Sequence, residues 1–374
     1  MRLCQIVPSL AAQHGGPSQS VRALANHLVS DGIAVELLTT RETDELVSPA
    51  AGDRATIHAF PRVFPRLLAR SPGLDRHLRN AAPDCVHHHS VWLRTLAYAA
   101  DAARTRDCPL VISPRGMLSD WAWAHHRWRK QLAAWFVHPG AMHRATAWHA
   151  TSEEEARDIR ARGFRQPVCV APNGVHMPNE RNLAPARAAW QELCPAIRNR
   201  PVALFYSRLH RKKRVRELID LWLAQSRGDW LLLIVGTPEE YTAEGLAAEV
   251  AARGASDRVA VCDGTNRPAP YAVASLFLLP SHSENFGLVI AEALATGVPT
   301  LVTDATPWRH LGEHEAGWCV PWAEYGTTLD RALAVDAEEL RNRGQKGREL
   351  MQRDYSWERV ARILHEFYRQ LRHA

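Results

Sequence analysis

The stretch SHSENFGLVIAEALATGVPTLV, residues 281–302, follows the apolar run ASLFLLP (274–280) and ends in a second apolar run, VPTLV. Short apolar runs separated by a helical segment make a strand–helix–strand unit, and such units predict a parallel sheet wound with helices. The stretch also sets Glu284 and Glu292 around the strand-to-helix turn with seven residues between them. Ser281 with Glu284 three residues on could cap the turn, and Glu292 could be one more polar residue on a surface helix. Against that, FGLVIAEALA is apolar on nearly every side, which puts Glu292 on a face otherwise buried. A carboxylate there needs partners, and the hydroxyls of a ribose or a hexose would supply them. The N–H groups of Asn285, Phe286, Gly287 and Leu288 would face the same ligand, ready for phosphate.

The same alternation runs along nearly the whole chain. Apolar runs such as LCQIV (3–7), AVELLTT (34–40), DCVHHH (84–89), PLVIS (109–113) and ATAWHA (145–150) form a first series, with helices between them, including 18–31 and 152–161. Ser152 and Glu155 have capping-box spacing at the start of the latter. PVALFYS (201–207), WLLLIVG (230–236), RVAVCDG (258–264), ASLFLLPS, VPTLVT (298–303) and GWCVP (317–321) form a second. The 374 residues exceed what one hydrophobic core usually supports, so two α/β domains are expected. Their predicted bounds are 1–172 and 201–354, joined by a proline-rich linker at 173–200 and followed by an amphipathic helix, 355–374. Open parallel sheets bind ligands beyond the carboxyl ends of their strands, so the turns there hold the candidate residues.

Two further turns fit. After the first strand, QHGGPSQSV places Gly15 and Gly16 just before a helix, where the backbone can approach an anion closely; a plain Gly-Pro turn explains the same letters. The loop is not G-x-G-x-x-G, which argues against a nicotinamide or flavin. After the first strand of the second series, YSRLHRKKRVRELI delivers Arg208, Arg211, Lys212, Lys213 and Arg214 to the start of a helix. Cations are disfavoured at that end of a helix dipole, so the cluster favours a diphosphate ligand over a solvated helix start.

Composition excludes several classes. No apolar stretch reaches the length of a membrane span, and the start MRLCQIVPSL lacks a signal peptide's apolar region, so a cytoplasmic protein is expected. Seven scattered cysteines without a C-x-x-C suit reduced thiols rather than a disulfide frame or a zinc site. A net charge of +6 points to an anionic partner, but no zinc finger, RNP strand or GXXG loop supports nucleic acid.

Taken in order, GGPSQSV, SPRGML, ATSEEEARDI, APNGV, SRLHRKKRV, LLIVG, PSHSENFGLVIAEALATGVPTLVT and YSWERVARIL resemble the retaining nucleotide-sugar glycosyltransferases of family 4. The resemblance implies the α/β GT-B fold, two facing Rossmann-like doubly wound domains with a cleft between them, whose terminal helix crosses back to the first domain. It implies that Glu284 binds hydroxyls of the donor sugar and Glu292 those of the ribose. Arg208 and Lys213 would neutralise the leaving diphosphate, and Gly15, Gly16 and the amides of Asn285 to Leu288 would line the donor pocket. No metal is expected, and the substrate would be a UDP- or GDP-hexose. The acceptor would be a glycan or a lipid-linked glycan of the cell envelope, lipopolysaccharide included. Two positions depart from the pattern: Arg115 replaces the histidine of the family's His-Gly pair, and Arg214 replaces a glycine after the phosphate-binding lysine. Rival readings are a GT-B epimerase or hydrolase, and a non-catalytic nucleotide-sugar-binding subunit.

CVHHHSVW (85–92) invites a metal reading, since His87 and His89 share one side of a strand while His88 points away. No carboxylate accompanies them, and His89 at the strand end suits hydrogen bonding to sugar or acceptor. WAWAHHRWRKQLAAWFVHPG (121–140) mixes His125, His126, Arg127, Arg129 and Lys130 with Trp121, Trp123, Trp128, Trp135 and Phe136. It fits either a core-facing helix with a basic side or a segment at the interface of an anionic membrane; in the second case RVFPRLLARSPGLDRHLRN (62–80), facing the same way, would complete a docking surface on the inner face of the plasma membrane.

Overall fold

The computed structural model describes residues 1–11, 16–42, 52–124, 127–225 and 229–373. The chain divides into two compact units, Met1–Gly174 with Trp357–Ala374, and Val175–Ser356. Unit 1 holds strands β1 (Arg2–Val7), β2 (Ala34–Arg41), β3 (Thr56–Pro61), β4 (Cys85–His89), β5 (Leu110–Ser113), β6 (Ala147–Ala150) and β7 (Val168–Val170). Unit 2 holds β8 (Val202–Leu209), β9 (Leu231–Pro238), β10 (Val259–Asp263), β11 (Leu276–Leu279), β12 (Thr300–Thr303) and β13 (Gly317–Val320). Every expected apolar run is a strand, and every pairing is parallel.

The strand orders are β3-β2-β1-β4-β5-β6-β7 and β10-β9-β8-β11-β12-β13. Each sheet therefore winds outward in both directions from its first strand, and a switch point falls between β1 and β4 and between β8 and β11. At such a point the helices leave the sheet on opposite faces, so the strand ends diverge and leave room for a ligand. Both switch points carry the turns singled out from the sequence.

In unit 2 the strands are apolar on both faces, with Leu204, Phe205, Leu232, Leu233, Leu278 and Leu301 out of solvent, as a sheet covered by helices on both sides requires. The Gly-Val-Pro turn after the helix Leu288–Ala295 meets the helix Ala337–Asp354 closely: a Cβ on Gly344 would lie 1.9 Å from the Gly297 carbonyl oxygen. The residues expected to link the two halves belong to unit 2 from Val175 on. Within them the helix Glu180–Leu193 is capped by Asn179 and buries Trp190, whose indole N–H donates to the Pro268 carbonyl at 2.8 Å. The apolar face of that helix, not its proline content, decided its place.

The terminal helix Trp357–His373 packs in unit 1 against the helix Gly16–Ser30. Trp357, Val360, Ala361, Leu364 and Tyr368, spaced along one helical stripe, join Val21, Leu24 and Leu28 in one buried cluster. Burying each large apolar side chain is worth about 1.5–3 kcal/mol, which fixes the helix there.

Candidate active site

In unit 2, β8 delivers its basic turn beside the loop that follows β11. Arg211–Lys213 form a single 3-10 turn, and Arg214 closes it in the left-handed region with φ 53°. That is the conformation a glycine would adopt at no cost, and the Arg214 guanidinium is held over the Trp322 ring at 4.3 Å. The turn swings Lys213 inward, so that its ammonium, 7% exposed as a residue, donates to the Glu284 carboxylate. Ser281 is also buried, and its hydroxyl donates to the same carboxylate oxygen at 2.7 Å. Burial alone would raise the Glu284 carboxyl, but the charge and hydrogen bond of Lys213, with the Ser281 hydroxyl, hold it below the ordinary carboxylate range. Glu284 is thus an acceptor locked in its ionised form. Ser281 serves this carboxylate directly rather than capping a helix.

Gly287 starts the helix Leu288–Ala295 at φ 77°, with no side-chain cap. A Cβ there would meet Ile290 at 2.8 Å, so the residue must be glycine for the turn to form. Phe286 is buried against Trp308, whose indole N–H donates to the Phe286 carbonyl at 2.6 Å. The segment Asn285–Leu288 is therefore held by packing while the positive end of the helix stays uncapped, the arrangement that receives anions.

About one turn further on, Glu292 accepts a hydrogen bond from the Tyr271 hydroxyl at 2.7 Å. Burial raises the Glu292 carboxyl, with the Tyr271 hydroxyl opposing that shift. The Tyr271 ring lies 5.5 Å from that of Tyr206, edge to face. Tyr271 had no signal in the sequence, because it comes from a 3-10 turn 21 residues upstream of its partner.

Arg208 is not gathered with this pair. It lies at the outer end of β8, where its guanidinium donates to Glu239 at 2.8 Å on an exposed surface. A spacing of five from Lys213 puts it in the strand that leads into the basic turn but does not aim its side chain at the pair.

Unit 1 brings a second group together. Gly16 opens its helix at the β1 end, and Gly15 lies outside the described residues. His89 ends β4, and the following Ser90 has φ 122°; Arg115, just past β5, has φ 53°. Two non-glycine residues in the left-handed region mark stored strain at this edge. Arg115 donates from Nε and Nη2 to His89 Nδ1 at 3.3 and 3.1 Å and from Nη1 to Asn173. Burial lowers the Arg115 pKa to about 10, with the Glu155 charge opposing that shift, so the group remains a cation hydrogen-bonded to the neutral acceptors His89 and Asn173. Because His89 Nδ1 accepts, its proton sits on Nε2, and that buried N–H has no partner among the described residues. Glu155 completes the frame. Its N–H donates to the Ser152 hydroxyl at 3.1 Å, but its carboxylate takes the Gly116 and Thr151 N–H groups instead of closing a capping box.

Behind His89, His149 donates from Nε2 to the Ala171 carbonyl at 2.9 Å, so its Nδ1 accepts from His87 Nε2 at 3.3 Å. His87 Nδ1 in turn accepts from the Tyr368 hydroxyl at 2.7 Å. Burial lowers the pKa of all three histidines, His149 to about 3, and keeps them neutral. Their ring nitrogens come within metal-binding distance of one another, but the Arg115 donors tie up His89 Nδ1 and put the proton on Nε2. A cation beside His89 and the hydrogen-bond chain from Tyr368 through His87 and His149 to the Ala171 carbonyl argue against a metal here. His88 points the other way, to the Ser90 carbonyl and the Thr95 hydroxyl, as the strand alternation requires.

The segment 121–140 does not form a core-facing helix. Its described parts are the helical segments Asp120–Ala124 and Arg127–Leu132 and a π turn, Ala133–Val137, and they leave Trp128, Trp135 and Phe136 60, 77 and 71% exposed. His125 and His126, like the side chains of Arg127 and Arg129, lie outside the described residues. Phe64 and Leu67 of the other basic-apolar stretch are also exposed, and a groove of about 400 Å³ lined by Leu68, Arg70, Arg94, Tyr98 and Phe136 joins the two segments.

The Glycosyl transferase 4-like domain matches residues 15–174, and the domain described as Glycosyl transferases group 1 matches residues 194–349. The chain carries both domains of a GT-B glycosyltransferase. The lipopolysaccharide core biosynthesis mannosyltransferase LpsB of Rhizobium meliloti is 29% identical over 177 residues, 44% of this chain and 50% of that protein. The match thus spans about half the length of that relative. A GDP-mannose-dependent alpha-mannosyltransferase of Mycolicibacterium smegmatis is 28% identical over 324 residues, 83% of this glycosyltransferase chain and 82% of its own. The structure of HepE from Anabaena in complex with UDP-glucose superposes with a TM-score of 0.74 at 18% identity, covering 99% of this chain and 100% of that one, and shares the fold.

Proposed function

We propose that the chain is a retaining, metal-independent hexosyltransferase of family 4. It moves a hexose from a UDP- or GDP-sugar to a glycan or glycolipid acceptor in the synthesis of cell-envelope polysaccharide or lipopolysaccharide. The observation that carries this reading is the buried Lys213–Glu284 pair at the switch point of the second sheet. An ammonium has three N–H groups, and the bond to Glu284 leaves others for the donor's phosphates. Those phosphates also meet the uncapped helix at Gly287, and Arg208 turns from Glu239 to join them. Glu284 then accepts hydroxyls of the hexose, while Glu292, steadied by Tyr271, accepts those of the ribose.

In the reaction the acceptor oxygen bonds to the sugar's anomeric carbon on the face from which the diphosphate departs. The carbon–oxygen bond to phosphate breaks, and the acceptor's proton passes to the leaving phosphate oxygen. Lys213, Arg208 and the helix end stabilise the charge that grows there, so the step asks for no metal. Within unit 1, the His89 N–H and the Arg115 cation would donate to a sugar or acceptor oxygen, and the family resemblance adds Gly15 and Gly16 to the donor-binding residues. A lipid-linked acceptor suits the exposed Phe64, Leu67, Trp135 and Phe136 beside Arg66 and Arg70, which would dock on the anionic cytoplasmic face of a membrane.

The names of two matched relatives specify mannose, and HepE was solved with UDP-glucose, so GDP-mannose and UDP-glucose head the donor panel. The test is to incubate the chain with each donor, with and without glycan acceptors, and to follow nucleotide release and the anomeric configuration of the product. Acceptor-dependent release with retained configuration supports the proposal. Turnover of donor alone points to an epimerase or hydrolase, and binding without turnover to a non-catalytic subunit.

A further inference from the structure

Away from both switch points, Glu36 of β2, His58 of β3 and His77 of the helix Pro72–Asn80 bring one donor atom each within 4.8 Å of one another. β2 and β3 run parallel with Glu36 opposite Thr56 and Leu38 opposite His58, so Glu36 and His58 project from one face of the sheet. The helix covers that face, burying Leu74 and Leu78 in the cluster that holds Leu38, and His77 sits beside them at its rim.

The contacts within the group are incomplete without a further partner. His77 Nε2 lies 2.8 Å from the Glu36 carboxylate. The His58 ring lies 4.7 Å from His77, tilted by 42°, stacks at 6.3 Å on Phe60, and makes no hydrogen bond among the described residues. A simple His–Glu bond accounts for one pair, while the His58 ring lies against His77 with a ring nitrogen within 4.8 Å of the other two donor atoms. A divalent ion would join all three, since it takes neutral imidazole nitrogens and a carboxylate oxygen together. All three residues are half-buried, which leaves a fourth position for water.

We propose that Glu36, His58 and His77 form a binding site for a divalent transition metal, with zinc as the reference ion. Two imidazoles and one carboxylate are a donor set that zinc accepts in tetrahedral geometry with one water, and cobalt, nickel and copper accept it as well. The site is structural and independent of the donor chemistry proposed above. It ties the β2–β3 edge to the helix, and its two histidines stand on either side of residues 62–71, the segment with exposed Phe64 and Leu67. Binding there braces both ends of that segment. Nothing in the sequence announces it, because the three ligands lie 22 and 19 residues apart with no repeated spacing.

The test uses the untagged full-length chain, freed of metal with a chelator and titrated with zinc by calorimetry and by thermal unfolding. One tight equivalent and a raised Tm are expected, and Glu36→Gln, His58→Gln and His77→Gln should each weaken binding tenfold or more. Cobalt gives an independent readout on the unaltered chain, a visible d–d band of four-coordinate cobalt that Glu36→Gln, which keeps the side-chain shape, should abolish. Absence of tight zinc binding, or binding that survives all three substitutions in folded protein, overturns the site.

Discussion

Lys213 and Glu284 are 71 residues apart in the chain, yet they share a hydrogen bond with their side chains 9 and 11% exposed. The pair spans the two strands that flank the switch point, so each residue depends on the other for a partner. Removing one leaves a charge without compensation in a poorly hydrated place, which typically costs about 3–5 kcal/mol of stability. Lys213→Ala should therefore lower the melting temperature, while Glu284→Gln, which keeps shape and hydrogen bonding, lowers it less. Turnover should fall about a hundredfold in each, the equivalent of roughly 3 kcal/mol of transition-state stabilisation. Calorimetry beside donor-release assays checks both, and near wild-type turnover in two folded variants would remove the pair from the mechanism.

Arg115 and His89 should behave as one unit. The two Arg115 donors fix the His89 tautomer and aim its free N–H. Arg115→Ala and His89→Ala are each expected to cut kcat/KM about tenfold or more, and the double variant should be no worse than the worse single one. Effects that multiply would mean that the two residues act separately. Arg115→His, which places there the histidine that the family resemblance implies, should recover part of the loss.

Acid should unfold unit 1 early. Burial depresses the pKa of His87 and His89, and of His88 and His149 to about 3, from the ordinary value of 6.5. The unfolded chain then binds more protons than the folded one over that window. Stability is complete above pH 6.5 and drains away as the pH falls towards 3, by up to about 1.4 kcal/mol per pH unit for each histidine. With total stabilities of about 5–15 kcal/mol, a cooperative loss of unit 1 structure is expected at mildly acidic pH. Urea unfolding followed at several pH values checks the slope; a midpoint unchanged between pH 7 and 5 would contradict it.

Flotation with liposomes tests the apolar patch. Recovery should be higher with anionic than with neutral vesicles and should fall as salt screens the attraction. Phe64→Ser, Leu67→Ser and Trp135→Ser together should abolish it without changing the fold, because all three side chains point to solvent. Equal recovery from both vesicle types would count against membrane docking.

Much of this was legible in the letters for a definite reason. Parallel strands covered on both faces are short runs of apolar residues, so LCQIV, LLLIV or LFLL can be read one by one, and the Glu284–Glu292 segment carries its strand, turn and helix in one continuous stretch. Residues that act through a single local element, such as Gly287 at its turn or His88 on its strand face, were likewise within reach. The Arg208 contact with Glu239 was not, because an eight-residue strand and a turn decide where its side chain points, and spacing along the chain does not. The aromatic segment 121–140 was ambiguous for a related reason: apolar residues at helical spacing look the same whether a core receives them or nothing does.

Sequence by itself determined the α/β alternation, the two-unit organisation, the strand-end location of the candidate residues and the absence of a nicotinamide-type glycine loop. Tertiary structure decided the partners: Ser281 and Lys213 on Glu284, Tyr271 on Glu292, Arg115 and Asn173 around His89, and the Glu36, His58 and His77 group. Local patterns arise from each residue's own backbone and burial preferences, which the chain states position by position. Contacts between buried polar groups depend on strand order and helix packing, which bring distant positions together and which no spacing in one chain records.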